Sequence, residues 1–239
     1  MQRRSIREKF VTNLILGVLV VCIGALSLTP VEHEIVSEME NEKLYRSAGE
    51  NAVGVSLMFN VYWGTEEVYR ILETLSKYDA KASFFIGGCW ADDNVDCLRA
   101  IDSAGHEIGN HGYFHKSHDT LNFIENQKEI ATCNRYVELV IGKNLKLFAP
   151  PSGAYNKDTI LAAGALGMKT ILWTKDTIDW RDKNPSLIYT RATKNVQVGD
   201  FILMHPMKET ADALEDILKY YQKNSLKTVT VSENLQKEG

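Results

Sequence analysis

Proline is scarce, cysteine scarcer still, and most of the chain lacks any excess of basic charge. Only 5 prolines and 4 cysteines occur in 239 residues, with no low-complexity tract and no internal repeat. With 44% hydrophobic and 24% charged residues, that composition excludes disorder as the default state. The length suits one large α/β domain or two small ones. The formal net charge of −4 hides an asymmetry: residues 1–29 carry Arg3, Arg4, Arg7 and Lys9 against Glu8, a balance of +3, which leaves −7 for residues 30–239. A domain of that sign has no basic stripe for phosphate backbones, so nucleic acid is excluded as a partner.

What is present begins with an apolar run. Behind the basic head at 1–9, the chain from Phe10 to Leu28 is interrupted only by Thr12, Asn13 and Ser27. Its length is close to the roughly 20 residues that span hydrocarbon as a helix. Basic residues before it and Glu32, Glu34 and Glu38 after it orient the N-terminus inside and the bulk of the chain outside. The reading is therefore a single-pass transmembrane signal-anchor at 10–29, holding the protein to the lipid bilayer of the cell membrane. A cleaved signal peptide and secretion is the competing reading, and the length of the run favours the anchor. Residues 30–50, polar and acid-rich, read as a tether. Outside the cytoplasm disulfides are permitted. Cys89 with Cys97, Cys97 with Cys133, and three free thiols all stay open.

From residue 51 onward strands alternate with helices. Strands are predicted at 53–59, 82–86, 106–109, 146–148, 169–173, 201–204 and 228–231. Helices are predicted at 65–78, capped by Thr65, and at 95–104, 120–141, 157–166, 185–193 and 209–223. Such alternation calls for parallel strands joined by helical crossovers, in an open sheet or a closed barrel. Asn60, His111, Asp176 and His205 each fall at or just past the C-terminal end of a predicted strand. In a β/α barrel those ends share one rim, and this decides for a distorted (β/α) barrel of about seven parallel strands over 51–239.

The stretch Gly109-Asn110-His111-Gly112-Tyr113-Phe114-His115 sets two imidazoles four residues apart. On a helical turn both would reach one ion. The pair lacks the glutamate of HExxH, so spacing alone is a weak metal signal.

Five stretches in order carry more information: Met58 to Gly64 (MFNVYWG), His111 to His115, Ala149-Pro150-Pro151-Ser152-Gly153, Asp176-Thr177-Ile178-Asp179-Trp180, and Leu203-Met204-His205. Their order resembles the polysaccharide deacetylases of carbohydrate esterase family 4, the NodB homology domain, and within it the sporulation-associated branch. The family patterns are F-D-x-x-W-G, H-[ST]-x-x-H, R-P-P-Y-G, D-x-x-D-W and L-x-H. The resemblance implies a metal-assisted hydrolysis of N-acetylated cell-wall glycan, with a divalent ion, zinc first, on His111 and His115. It implies His205 as general acid with Asp176 as its partner, and Trp180, Leu203 and Pro151 lining the substrate pocket. The general-base position is Asn60, and the arginine that would steady the base is Ala149. A carboxamide does not take up a proton near neutral pH. Two functions stay open: a weak membrane-tethered deacetylase using a surrogate base such as Asp119, and an inactive homologue that binds glycan or metal in envelope or spore assembly. Asn60, Asp176, His118 and Asp119 are the candidates for a further metal ligand.

Overall fold

The structure, a computed structural model, describes residues 44–235 together with Leu14 and Val18. Apart from Leu14 and Val18, the anchor at 10–29 therefore lies outside the described residues, as do the basic head and the tether up to residue 43. Among the described residues no helix is long and apolar enough to cross a membrane.

Eight strands form one sheet, every pairing in it parallel: β1 (Leu44–Tyr45), β2 (Ser56–Val61), β3 (Ser83–Ile86), β4 (Glu107–Asn110), β5 (Leu147–Phe148), β6 (Lys169–Ile171), β7 (Lys175–Asp176) and β8 (Phe201–Met204). Their order is β1-β6-β5-β4-β3-β2-β8-β7, so β1 and β7 are edges and the sheet is a curled half-barrel rather than a closed one. Helices cover its outer face: α1 (Thr65–Lys77), α2 (Gly88–Asp93), α3 (Val95–Ser103), α4 (Phe123–Ile141), α5 (Lys157–Ala165), α7 (Pro185–Thr193) and α8 (Lys208–Lys223), while the short α6 (Asp179–Asp182) follows β7 at the C-terminal rim.

The two-residue period of a strand sorts the side chains. Leu57, Phe59 and Val61 of β2, Phe84 and Ile86 of β3, and Ile202 and Met204 of β8 point outward into the main core shared with the helices. Met58, Phe85, Leu147, Ala149, Ile171 and Phe201 form a second apolar cluster on the other face, inside the curl. A Cβ on Gly109 would lie 2.6 Å from a Phe85 ring carbon, so the absent side chain leaves room for that ring. By the same alternation Asn60, His111 and Trp173 come one step above the inner cluster, and His205 two steps above Phe201. The strand pattern thus builds the rim of the site.

Several sequence expectations need correction. The final strand expected at 228–231 is absent: Thr228 makes one isolated bridge to Val55, and Val231–Leu235 is a short helix, α9, under the sheet. Asn234 in α9 accepts from Val53 N and Gly54 N and donates to Gly54 O and Ser56 Oγ, which seals the bottom of the curl. Residues 44–50, expected to be tether, contain β1, whose Tyr45 O accepts from Leu172 N. Thr65 does not cap α1. Gly64 holds that position in a left-handed conformation, and the Thr65 hydroxyl is engaged with Asn94 and Trp90. Cys89, Cys97 and Cys133 are free thiols. The Cys133 thiol donates to Ile86 O, and burial pushes its pKa up to about 12.

Candidate active site

A cavity of about 300 Å³ opens at the C-terminal rim, lined by Asn60, Trp63, His111, His115, Ser152, Trp173, Asp176, Trp180, Leu203 and His205. It brings together every predicted site residue except Pro151, which is buried in the short turn Pro151–Gly153 beneath, while its neighbour Ser152 faces the cavity. A larger groove of about 540 Å³ between α7 and α8 contains no histidine, and its Asp212 and Lys219 are taken up in ion pairs with Arg70, Lys208 and Glu215. The chemistry belongs to the rim.

His111 follows β4 directly, with 2% of its surface exposed. Its Nδ1 lies 2.7 Å from Ala149 O. A carbonyl only accepts, so Nδ1 carries the proton and Nε2 keeps its lone pair. Burial, reinforced by the neighbouring His115, pulls its pKa down to about 3, which keeps the ring neutral. His115 is not on a helical turn, contrary to expectation. It ends a loop that Gly112 bends at φ 73°, and its own φ is 54°. Its ring meets His111 edge-on with centroids 5.1 Å apart and packs on Tyr62 at 4.7 Å. Burial lowers its pKa as well.

The second half of the site is a carboxylate–imidazole pair, and here the sequence expectation chose the wrong aspartate. Asp176, ending β7, accepts from Ile178 N at 2.7 Å. Ile178 is left-handed at φ 52°, which turns the next carboxylate under β8. Asp179, fully buried, accepts from His205 Nδ1 at 2.7 Å and from Trp180 N through Oδ1, and from His205 N and Thr210 Oγ1 through Oδ2. Four donors on two oxygens fix both the carboxylate and the tautomer of His205. Trp63 stacks on the His205 ring, 5.7 Å between centroids and 5° from parallel.

Asn60 sits at the end of β2, 3% exposed, and its Oδ1 has no hydrogen-bond partner among the described residues. Two neutral imidazoles and an orphaned carboxamide oxygen in one cavity fit a divalent ion such as zinc, in a donor set weaker than one with a carboxylate. Among the described residues no three His, Cys, Asp or Glu side chains cluster as a metal site. His118 and Asp119 do not contribute. The first is buried with Nδ1 on Asn126, the second is exposed and accepts from Ser117 Oγ, and neither lines the cavity. The sequence reading gave no site role to Trp63, Trp173, Ser152 or Asp179. Trp63 and Asp179 stood within quoted motifs, whereas nothing but strand parity pointed to Trp173.

The comparisons bear on the family and the fold. The polysaccharide deacetylase family matches residues 49–171. The Bacillus subtilis protein YlxY is 35% identical over 198 residues, 83% of this chain and 62% of its own. A Bacillus cereus peptidoglycan-N-acetylglucosamine deacetylase is 31% identical over 70% of this chain and 81% of its own. This chain covers only 42% of another relative, the peptidoglycan-N-acetylmuramic acid deacetylase PdaC of Bacillus subtilis. Among solved structures, a carbohydrate esterase family 4 pseudoenzyme from Bacillus anthracis superposes with a TM-score of 0.78 at 34% identity, covering 81% of this chain and 69% of that one. A mutant of that pseudoenzyme with restored enzymatic activity fits equally well. The chain belongs to the polysaccharide deacetylase family.

Proposed function

We propose that this protein binds N-acetylated cell-wall glycan of the N-acetylglucosamine type in the rim cavity and hydrolyses its acetamide far more slowly than a relative with a carboxylate at position 60. The observation that carries this reading is the orphaned Asn60 Oδ1 beside an intact Asp179–His205 pair. His205, its Nδ1 committed to Asp179, has Nε2 left to protonate the leaving amine. Trp63 and Trp180, each with 40% or more of its surface exposed, are walls on which a sugar ring stacks. A divalent ion on His111, His115 and Asn60 would supply a Lewis acid for the acetamide carbonyl. Asn60 cannot remove a proton from water, and loss of a general base typically costs about 10²–10⁴-fold. In this reading the run at 10–29 holds the domain at the outer face of the cell membrane.

A second reading, a glycan-binding homologue with no turnover, is favoured by the pseudoenzyme among the solved neighbours. One reversion series separates the two. Asn60→Asp with Ala149→Arg is expected to raise deacetylation of an N-acetylglucosamine oligomer at least about tenfold over the parent. Slow turnover in the parent, lost in His205→Ala, supports the first reading, and none at all supports the second. A parent already as fast as the double variant would refute the role assigned to position 60. Zinc content provides a separate check: it should fall in His111→Ala, and equal zinc in both proteins would remove the metal from the account.

A further inference from the structure

We infer that Glu129 is a positioning residue for the histidine site, an inference that rests on the reading of His115 as a metal-binding side chain. Glu129 lies on α4, outside all five motifs, and is 4% exposed. Its Oε2 accepts from Tyr113 N at 3.2 Å and from Phe114 N at 2.9 Å, and its Oε1 is 3.0 Å from Lys116 Nζ. One buried carboxylate therefore grips the residues immediately before and immediately after His115.

The need for that grip lies in the backbone. His111 is held by its own ring hydrogen bond to Ala149 O and by its place at the end of β4. His115 sits in a loop at φ 54°, a conformation unfavourable for a residue with a Cβ that persists only when its surroundings over-determine it. Asn110 Oδ1 fixes Gly112 N at 2.7 Å, so the loop is tied at 112, 113, 114 and 116. Position 115 is left to present its ring to the cavity.

The test uses the full chain and zinc ion as the probe, with a competing chromophoric chelator to read the dissociation constant. Glu129→Ala is expected to weaken zinc about 10- to 100-fold, the usual effect of removing an outer support. Glu129→Gln keeps an oxygen for both amides and should stay within about threefold of the parent. Lys116→Ala, which removes the ion pair after His115 but leaves both amide bonds, should weaken zinc less than Glu129→Ala. Hydrogen exchange at the Tyr113 and Phe114 amides is the readout that needs no metal: fast in Glu129→Ala, parent-like in Glu129→Gln. If Glu129→Ala does not fold, Glu129→Asp takes its place, with the charge kept and the reach shortened, and the same losses are expected. Parent-like zinc affinity in the folded Ala or Asp variant, or a Gln variant as weak as Ala, would overturn the inference. If the parent itself binds no zinc, the metal in the proposed function fails. The exchange pattern then decides on Glu129: fast amides in the Ala variant uphold the anchor, and unchanged amides refute it.

Discussion

An arginine at position 149 would place a guanidinium where Ala149 now packs with Met58, Phe85, Leu147, Ile171 and Phe201. With a carboxamide rather than a carboxylate at position 60 it would find no partner there, and a buried charge without a partner costs on the order of 3–5 kcal/mol. The neutral pair Asn60 and Ala149 is self-consistent, which explains why both departures occur together. Ala149→Arg alone should therefore lower the urea unfolding free energy by about 3–5 kcal/mol, and adding Asn60→Asp should recover about 1–3 of it as coupling. Additive effects of the two substitutions would show that these positions do not meet. The same residue-level reasoning separates the two aspartates. Asp179 is fully buried under four hydrogen bonds, whereas Asp176 is half-buried with one. Asp179→Ala should cost about 3–5 kcal/mol because it strands His205 and Thr210, and Asp176→Ala about 1 kcal/mol. Equal losses in urea titrations would contradict the assignment of Asp179 as the partner of His205.

At the scale of elements, α9 shows how far pattern reading reaches. Thr228 to Val231 alternate β-branched residues and read as a strand, yet only Val55 pairs with Thr228, because the curl needs a plug rather than another wall. Asn234 fulfils that need with four hydrogen bonds to the 53–56 segment. Asn234→Ala would leave buried backbone and hydroxyl groups unpaired, at about 1–3 kcal/mol each, so a loss of about 3 kcal/mol or more in thermal or urea unfolding is expected. A change under about 1 kcal/mol would mean that water satisfies them and α9 is no plug. Elsewhere the long signals were legible: α7 at Pro185–Thr193 and β8 at Phe201–Met204 carry the bounds that periodicity gives them. The two-residue strands β1 and β7 are too short to show any period. The site was legible as strand-end polar residues in family order. The choice between Asp176 and Asp179, and the loop rather than helix under His115, were not, because both depend on left-handed residues, Ile178 and His115, whose side chains give no hint of that conformation.

For the molecule as a whole, burial of imidazoles sets the response to acid. Of the 6 histidines in the sequence, His106, His111, His115 and His118 all have their pKa values lowered by burial, His106 to about 4 and His111 to about 3. An unfolded imidazole takes its proton near pH 6.5. Between that value and the lowered folded one, the unfolded chain binds more protons, so stability falls as pH falls. The loss should begin below about pH 6.5, ahead of the carboxylates. Asp182, for instance, is held at about 2 by its hydrogen bonds to Arg181 and Arg191, and acts mainly below pH 5. His106 offers the cleanest test because it lies outside the cavity, packed against Phe84 with no partner for Nδ1 among the described residues. At pH 5 its unfolded form lies 1.5 units below its titration point, worth about 2 kcal/mol at 1.36 kcal/mol per unit. Urea unfolding at pH 7 and pH 5 should show the parent losing about 2 kcal/mol more than His106→Leu over that interval. The substitution's own packing cost cancels in the difference between the two pH values. A variant that loses stability as steeply as the parent would place the acid sensitivity on other groups.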